Sequence, residues 1–323
     1  MDIALQVVLL IAGFVLLIKG ADWLISGASS VAANFKVSKL LIGLTIVAFG
    51  TGAPELAVSV SSILSKNTDL LLGNVVGSNI LNILLLIGIA SVIRPVVVKR
   101  DTVAKELPLL LLISTILIVL FLDTPLVNAD FNMISRSDGI ICLLAFGIFL
   151  YYIIAMARKN RADAKKVEKP QYKLLKSFIL VVIGLTGVVL GSQLVVNSAS
   201  AIATAIGISD RIIALTIVAF GTSLPELVTT VTAAKRGENE LLVGNIIGSN
   251  IFNICIVLGL PVAIFGSITP GSFEIIDIVM LISSALLLWL VVCRDRKISR
   301  MEGVLMLTIF AVYYSYLISS AIF

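Results

Sequence analysis

Histidine is missing altogether from the 323 residues, which excludes imidazole proton relays and histidine-held zinc. Cysteine is scarce: Cys142, Cys255 and Cys293 stand far apart in apolar surroundings, so neither a disulfide framework nor a thiolate metal cluster follows. Any metal handled by this chain must then be met by oxygen, and oxygen ligands select hard cations. Charge is also sparse. Only 13% of the residues are Asp, Glu, Lys or Arg, about half the ~25% of an ordinary soluble domain. With 59% apolar residues and a mean hydropathy of +1.12, a water-soluble globule is excluded. No pairing of nucleophile and base is visible, so the reading is of a non-enzyme with no catalytic residues and no cofactor. Nothing points to a nucleic-acid partner.

What is present is apolar length. A spanning helix needs roughly 20 apolar residues, and such segments recur at 3–34, 38–65, 70–93, 102–122, 134–157, 174–205, 209–234, 240–264, 273–293 and 300–322. The expectation is an all-α integral membrane protein of ten transmembrane helices, with the lipid bilayer as its constant partner. Met1-Asp2-Ile3 runs into the first apolar stretch with no basic region before it, which reads as a true first span rather than a signal peptide.

Twenty of the 24 basic residues fall in alternate connections, those after the first, third, fifth, seventh and ninth spans. Only Lys66, Arg136 and Arg211 lie on the other side, and Lys19 lies within the first span. By the positive-inside rule the rich side is cytoplasmic. A multi-pass protein of the plasma (inner) membrane is expected, with both termini outside and a cytoplasmic central linker.

The chain also repeats itself. Thr45-Ile-Val-Ala-Phe-Gly-Thr51 recurs as Thr216 through Thr222, Pro54-Glu55-Leu56 as Pro225-Glu226-Leu227, and Gly77-Ser78-Asn79-Ile80 as Gly248-Ser249-Asn250-Ile251. Each match keeps an offset of 171 residues. Five spans is an odd number, so the second copy must enter the membrane upside down, the arrangement of many secondary transporters. The expected units are residues 1–157, a linker at 158–173, and an inverted repeat at 174–323, with helices 2 and 7 discontinuous.

Three acids lie deep in spans. Asp22 stands three residues from Lys19, so the two are expected to neutralise one another; at the same offset the second copy carries Gln193. Glu55 and Glu226 have no basic residue in either repeated segment. A lone carboxylate in the bilayer is costly, so such residues are taken as functional. Pro54 and Pro225 remove an N–H just ahead of each, and neighbouring glycines loosen the helix. Carbonyls freed there can turn toward a cation. Thr51 and Thr222 lie four residues before the glutamates, and Asn74, Ser78 and Asn82 form a polar stripe that recurs as Asn245, Ser249 and Asn253. Two carboxylates with hydroxyl, amide and carbonyl oxygens suit calcium better than magnesium, which demands strict octahedral geometry. One Ca²⁺ cancels both carboxylates, as do two Na⁺ or two protons, so occupancies exclude one another. A third Na⁺ makes exchange electrogenic, and the residues leave that number open.

At Ala48-Phe-Gly-Thr-Gly-Ala-Pro-Glu55 and Ala219-Phe-Gly-Thr-Ser-Leu-Pro-Glu226 the chain resembles the calcium/cation antiporter superfamily, in particular compact prokaryotic sodium/calcium exchangers. The likeness extends over essentially the whole chain. It implies exchange of Ca²⁺ for Na⁺ by alternating access. The implied calcium ligands are Glu55, Glu226, Thr51 and Thr222. Ala48, Ala219, Ser78, Ser249 and Ser223 are implied to hold sodium, Asn82 and Asn253 to line the centre, and the first and sixth spans to slide as a gating pair. Proton-coupled relatives carry Gly-Asn where this chain has Gly50-Thr51 and Gly221-Thr222, which favours sodium. A Ca²⁺/H⁺ antiporter on the same scaffold is the nearest alternative, and a gated cation channel the alternative of another class. Two positions depart from the pattern: Gly52 stands where many relatives have serine, and Asn253 where they often have aspartate.

Overall fold

The computed structural model describes residues 3–122, 132–162, 169–206, 219–269 and 275–322. The long helices are α1 (Ile3–Phe35), α2 (Lys39–Thr51), α3 (Ala53–Leu64), α4 (Thr68–Ile93) and α5 (Arg100–Leu120), then α6 (Arg136–Ala162) and α7 (Leu174–Ala205). After the short α8 (Ala219–Gly221) come α9 (Leu224–Arg236), α10 (Asn239–Phe265), α11 (Ile275–Asp295) and α12 (Arg300–Ile322). Among the described residues eight helices are long and apolar enough to cross a bilayer, and α2 with α3 adds a pair bent by 45°. Of the expected span at 209–234, the described part holds α8 and α9, and 209–218 lie outside the described residues, as do 163–168 of the linker.

The ends of these helices follow from local chemistry. Ser135 and Ser299 each open a helix with a reciprocal capping box. The Ser135 amide donates to Asp138 at 2.7 Å, and the Ser299 amide to Glu302 at 2.7 Å. The α9 helix closes on Gly237, whose φ of +73° is left-handed and cheap only for glycine. Helix α6, the fifth expected span, runs to Ala162, past the span end expected at 157. No glycine or proline occurs between Ala157 and Pro170, so nothing local stops it where the membrane ends.

Burial sorts the helices into a centre and a rim. Within their most apolar windows α10 is 94% buried and α4 72%, against 22% for α1 and 17% for α6. The rim helices turn large apolar side chains outward, for example Val8, Ile11 and Val15 on α1 and Leu144 and Ile148 on α6. An outer surface of that kind is stable only against lipid, and helices satisfy their own backbone there. The molecule is a mostly helical, multi-pass membrane protein.

Helices α1 and α7 pack antiparallel along their length, Gly13 against Val195 at one end and Gly27 against Val181 at the other. At the middle, a Cβ on Gly20 would lie 2.7 Å from the Val188 amide nitrogen and 2.9 Å from the Gly184 carbonyl oxygen. Small residues at such a seam let two membrane helices touch backbone to backbone. On its other side α10 lies against α2 through Gly43, Gly244 and Gly248. A two-stranded antiparallel ribbon, β1 (Val96–Val97) with β2 (Lys297–Ile298), ties two connections at one end of the bundle. An Ile134–Ile268 bridge ties two others.

Candidate functional site

The two broken helices meet the two most buried ones at the centre of the molecule. In the first, Gly52 (φ −78°, ψ 0°) leaves helical geometry between α2 and α3. In the second, Ser223 (φ −89°, ψ 3°) does so just before α9. These positions differ by the same 171-residue offset. Each is followed by proline in the first turn of the new helix, where the missing N–H costs nothing.

Glu55 and Glu226 therefore occupy the first turns of α3 and α9. Helix N-termini favour negative charge. The glutamates are 1% and 2% exposed and within electrostatic reach of one another. No basic side chain is ion-paired with either among the described residues. Glu55 Oε2 and both Glu226 carboxyl oxygens lack a hydrogen-bond partner there. Two buried like charges with unfilled lone pairs are stable only when something positive lies between them.

The sequence expectation of carbonyls released at the break is met differently at Ala48. Its carbonyl still accepts the Gly52 N–H at 3.0 Å and also lies 3.5 Å from the Thr51 hydroxyl, a second donor. The break thus presents helix N-termini and carboxylates first, with carbonyls in second place.

Around the glutamates the oxygens cross between the halves. The Thr51 hydroxyl, which donates to the Val47 carbonyl at 3.0 Å, lies beside the Glu226 carboxyl. The Ser223 hydroxyl lies beside the Glu55 carboxyl and 3.4 Å from Ser78 Oγ. Ser78, Ser249, Asn82 and Asn253 are all buried, and Asn82 Oδ1, Ser249 Oγ and Asn253 Oδ1 have no hydrogen-bond partner among the described residues. Thr222 is half-buried at the second break, and Ala219 opens the described part of that segment. Both central helices pass through a π-helical turn that starts at the repeated asparagine, Asn82–Leu86 in α4 and Asn253–Leu258 in α10, a device common at functional sites.

Asn74 and Asn245, expected in the polar stripe, brace neighbouring segments here, and Asn250 carried no expectation. Asn74 donates to the Glu55 carbonyl at 3.0 Å and to Ser59 Oγ at 3.1 Å. Its counterpart Asn245 donates to Thr229 at 3.4 Å and accepts at Oδ1 from the Thr51 hydroxyl at 3.5 Å. Asn250 accepts from Asn82 Nδ2 at 2.9 Å, joining the two halves. The Asn-x₃-Ser-Asn-x₂-Asn spacing in both copies was the available signal: more amides than ion ligation alone requires.

One expectation is corrected. Asp22 does not pair with Lys19. Its Oδ1 lies 2.8 Å from Arg236 Nη2 at the end of α9, while Lys19 is exposed. The helical spacing made Lys19 a neighbour, but Arg236 approaches from another helix and also donates to Ser26 Oγ at 2.5 Å.

Comparison with known proteins places this geometry among relatives. The family model described as sodium/calcium exchanger protein matches residues 5–155 and 176–319. Inner membrane protein YrbG of Escherichia coli is 37% identical over 322 residues, covering 97% of each chain. Sodium/calcium exchanger MaX1 of Methanosarcina acetivorans is 29% identical, with 96% of this chain and 98% of that one aligned. A solved structure of the sodium-calcium exchanger NCX_Mj, soaked with Na⁺ and Sr²⁺, superposes with a TM-score of 0.84 at 32% identity, covering 97% of this chain and 99% of that chain.

Proposed function

The chain belongs to the sodium/calcium exchanger family, within the calcium/cation antiporter superfamily, and from that premise we propose that it exchanges Ca²⁺ for Na⁺ across the inner membrane by alternating access. Family membership makes it a membrane transporter of cations rather than an enzyme, and a gated channel finds no support in it. The observation that carries the finer reading is the pair Glu55 and Glu226: two buried carboxylates, one from each broken helix, with unfilled lone pairs. Ca²⁺ neutralises both and takes roughly six to eight oxygens. In this reading the calcium ligands are Glu55, Glu226, Thr51 and Thr222. The flanking oxygens of Ser78, Ser223, Ser249, Ala48 and Ala219 serve sodium, and Asn82 and Asn253 line the centre. Because two sodium charges balance the same carboxylates, either cation must leave before the other enters, and exchange follows.

The architecture proposed with this function is ten spans in two inverted five-helix repeats, residues 1–157 and 174–323, joined by a cytoplasmic linker at 158–173 with both termini outside. The 171-residue offset, the antiparallel seam of α1 and α7 and the bias of basic residues support it. The α1–α7 pair, smooth at its seam and lipid-facing outside, is the element that slides. The test is calcium flux into proteoliposomes with sodium and proton gradients imposed separately. Uptake follows the sodium gradient; uptake that ignores sodium and tracks protons would assign the Ca²⁺/H⁺ reaction instead.

A further inference from the structure

One helix, α7, covers both central breaks. On the Cβ side of Gly221 the nearest atoms are those of Val196, and on that of Gly50 those of Leu185. Leu185, Ser192 and Val196 are spaced by seven and four residues, so they share one face of α7. The glycines that meet α1 (Gly184, Gly187 and Gly191) lie on another. Exact inverted symmetry would instead lay α1 on Gly50 as α7 lies on Gly221. The 171-residue offset makes Ile25 the counterpart of Val196, and Phe14 that of Leu185. Neither is nearest to either glycine, and Phe14 is 45% exposed on the outer surface. In a protein of inverted repeats, the opposite-facing state is the one in which the halves have traded arrangements. There α1 takes over both breaks, Ile25 on Gly50 and Phe14 on Gly221.

A single polar bond belongs to the present arrangement. Pro225 leaves the Gly221 carbonyl without its helical donor, and the buried Ser192 hydroxyl supplies one at 2.8 Å. Hydroxyls on helices usually turn back to the carbonyl four residues earlier, as Thr45 does to Leu41 and Ser62 to Val58. Ser192 reaches a different helix instead. Pro54 frees the Gly50 carbonyl in the same way, but the residue in the place of Ser192 is Ala21. No side chain donates to that carbonyl among the described residues. The bond is therefore made in one arrangement and has no equivalent in the other. A separation beyond about 3.5 Å ends it, so a slide of α7 by more than ~1 Å breaks it.

We infer that the Ser192 hydroxyl is a one-sided latch: it fastens α7 to the second broken helix in the orientation described, and so sets which way the exchanger rests. Ser192 is a positioning residue, acting through the broken helix rather than on the cation. This inference rests on the alternating-access reading with α1 and α7 as the moving pair.

The experiment follows the exchange of isotopic calcium for calcium, without sodium, by the full chain in right-side-out and inverted vesicles. The half-saturating calcium concentration is measured at each face with the other face saturated. A change in the ratio of the two constants reports a change in the orientation equilibrium, because a change in intrinsic affinity moves both alike. Loss of one neutral hydrogen bond weakens the described orientation about fivefold, so Ser192→Ala shifts the ratio by about that factor. Ala21→Ser places a hydroxyl at the mirror position, strengthens the opposite orientation and moves the ratio the same way. In the present orientation that hydroxyl turns back to the Leu17 carbonyl and costs little. The double variant Ser192→Ala/Ala21→Ser shifts the ratio by the product, roughly 25-fold. An unchanged ratio in folded Ser192→Ala overturns the latch, as do constants at both faces that move by one common factor. Ala21→Ser moving the ratio the other way overturns it as well. Wild-type vesicles without calcium self-exchange are a different failure: they remove the transport reading itself, and the latch with it.

Discussion

Asp22 on α1 and Arg236 at the end of α9 form an ion pair of 2.8 Å between the rim and the body of the protein. Their side chains are 37% and 36% exposed, so the pair contributes no more than about 1 kcal/mol to stability. The offset places Gln193 and Ser65 at the corresponding positions in the other copies, so no charged pair is expected there. If α1 and α7 slide against the rest, this contact holds one end of the path and has no equal at the other. Asp22→Asn and Arg236→Gln are accordingly expected to leave thermal stability within about 1 kcal/mol of wild type while altering exchange rate severalfold. The swap Asp22→Arg/Arg236→Asp should return the rate toward wild type. Rates unchanged in both single variants would show that the pair is only a surface contact.

Glu55→Gln and Glu226→Gln each remove one of the two charges that a divalent ion must meet. Transport of calcium is expected to be lost, with the fold retained, because neither carboxylate anchors a salt bridge among the described residues. The discriminating measurement is thermal unfolding with and without calcium. A bound ligand raises stability by about 2.7 kcal/mol at one hundred times its Kd, so wild type gains on calcium addition and neither variant does. A variant that still gains would place the calcium elsewhere.

Much of this site was readable from spacing alone. The glutamates, the prolines before them and the serine and asparagine stripes recur at a fixed offset, and the structure gathers them on two broken and two buried helices. What was not readable depends on contacts between distant segments. Helical spacing offers Lys19 to Asp22, and only packing brings Arg236 within 2.8 Å. Gly52 reads as a missing serine, and only the position of Phe252 explains why a larger residue does not fit there. The π-helical turns at Asn82 and Asn253 have no composition signal, since the surrounding Ile, Leu and Val residues suit an ordinary helix equally well. The α6 helix continues past the span expected to end at 157, because a charged stretch can end a span without ending a helix.

Protons and cations compete for the same oxygens. A carboxylate must be ionised to hold Ca²⁺, so lowering the pH adds protons to the centre and displaces the metal; raising it has the reverse effect. Because two carboxylates share one ion, up to two protons are exchanged for each Ca²⁺. Apparent calcium affinity is therefore expected to fall as pH drops through the mildly acidic range, and proton release on calcium binding should be measurable in weakly buffered detergent solution. In Glu55→Gln or Glu226→Gln that release disappears along with the binding. An affinity that stays flat from neutral to mildly acidic pH would mean that the glutamates are not the ligands.

Gly20 offers a test of the seam independent of ion binding. Any Cβ there meets backbone atoms of α7, the Val188 nitrogen at 2.7 Å and the Gly184 oxygen at 2.9 Å, and backbone cannot step aside as a flexible side chain does. Gly20→Ala is expected to destabilise by about 1–3 kcal/mol, the usual cost of forcing a methyl group into packed structure, and Gly20→Leu to separate the helices outright. Gly147, exposed on α6 with nothing within 4 Å of its Cβ position, is the control. There alanine removes the intrinsic penalty of glycine in a helix, about 1 kcal/mol, and stability should hold or rise. Comparing thermal unfolding and sodium-driven flux in the two alanine variants separates propensity from packing. Equal behaviour at both positions would mean that α1 and α7 do not touch through Gly20.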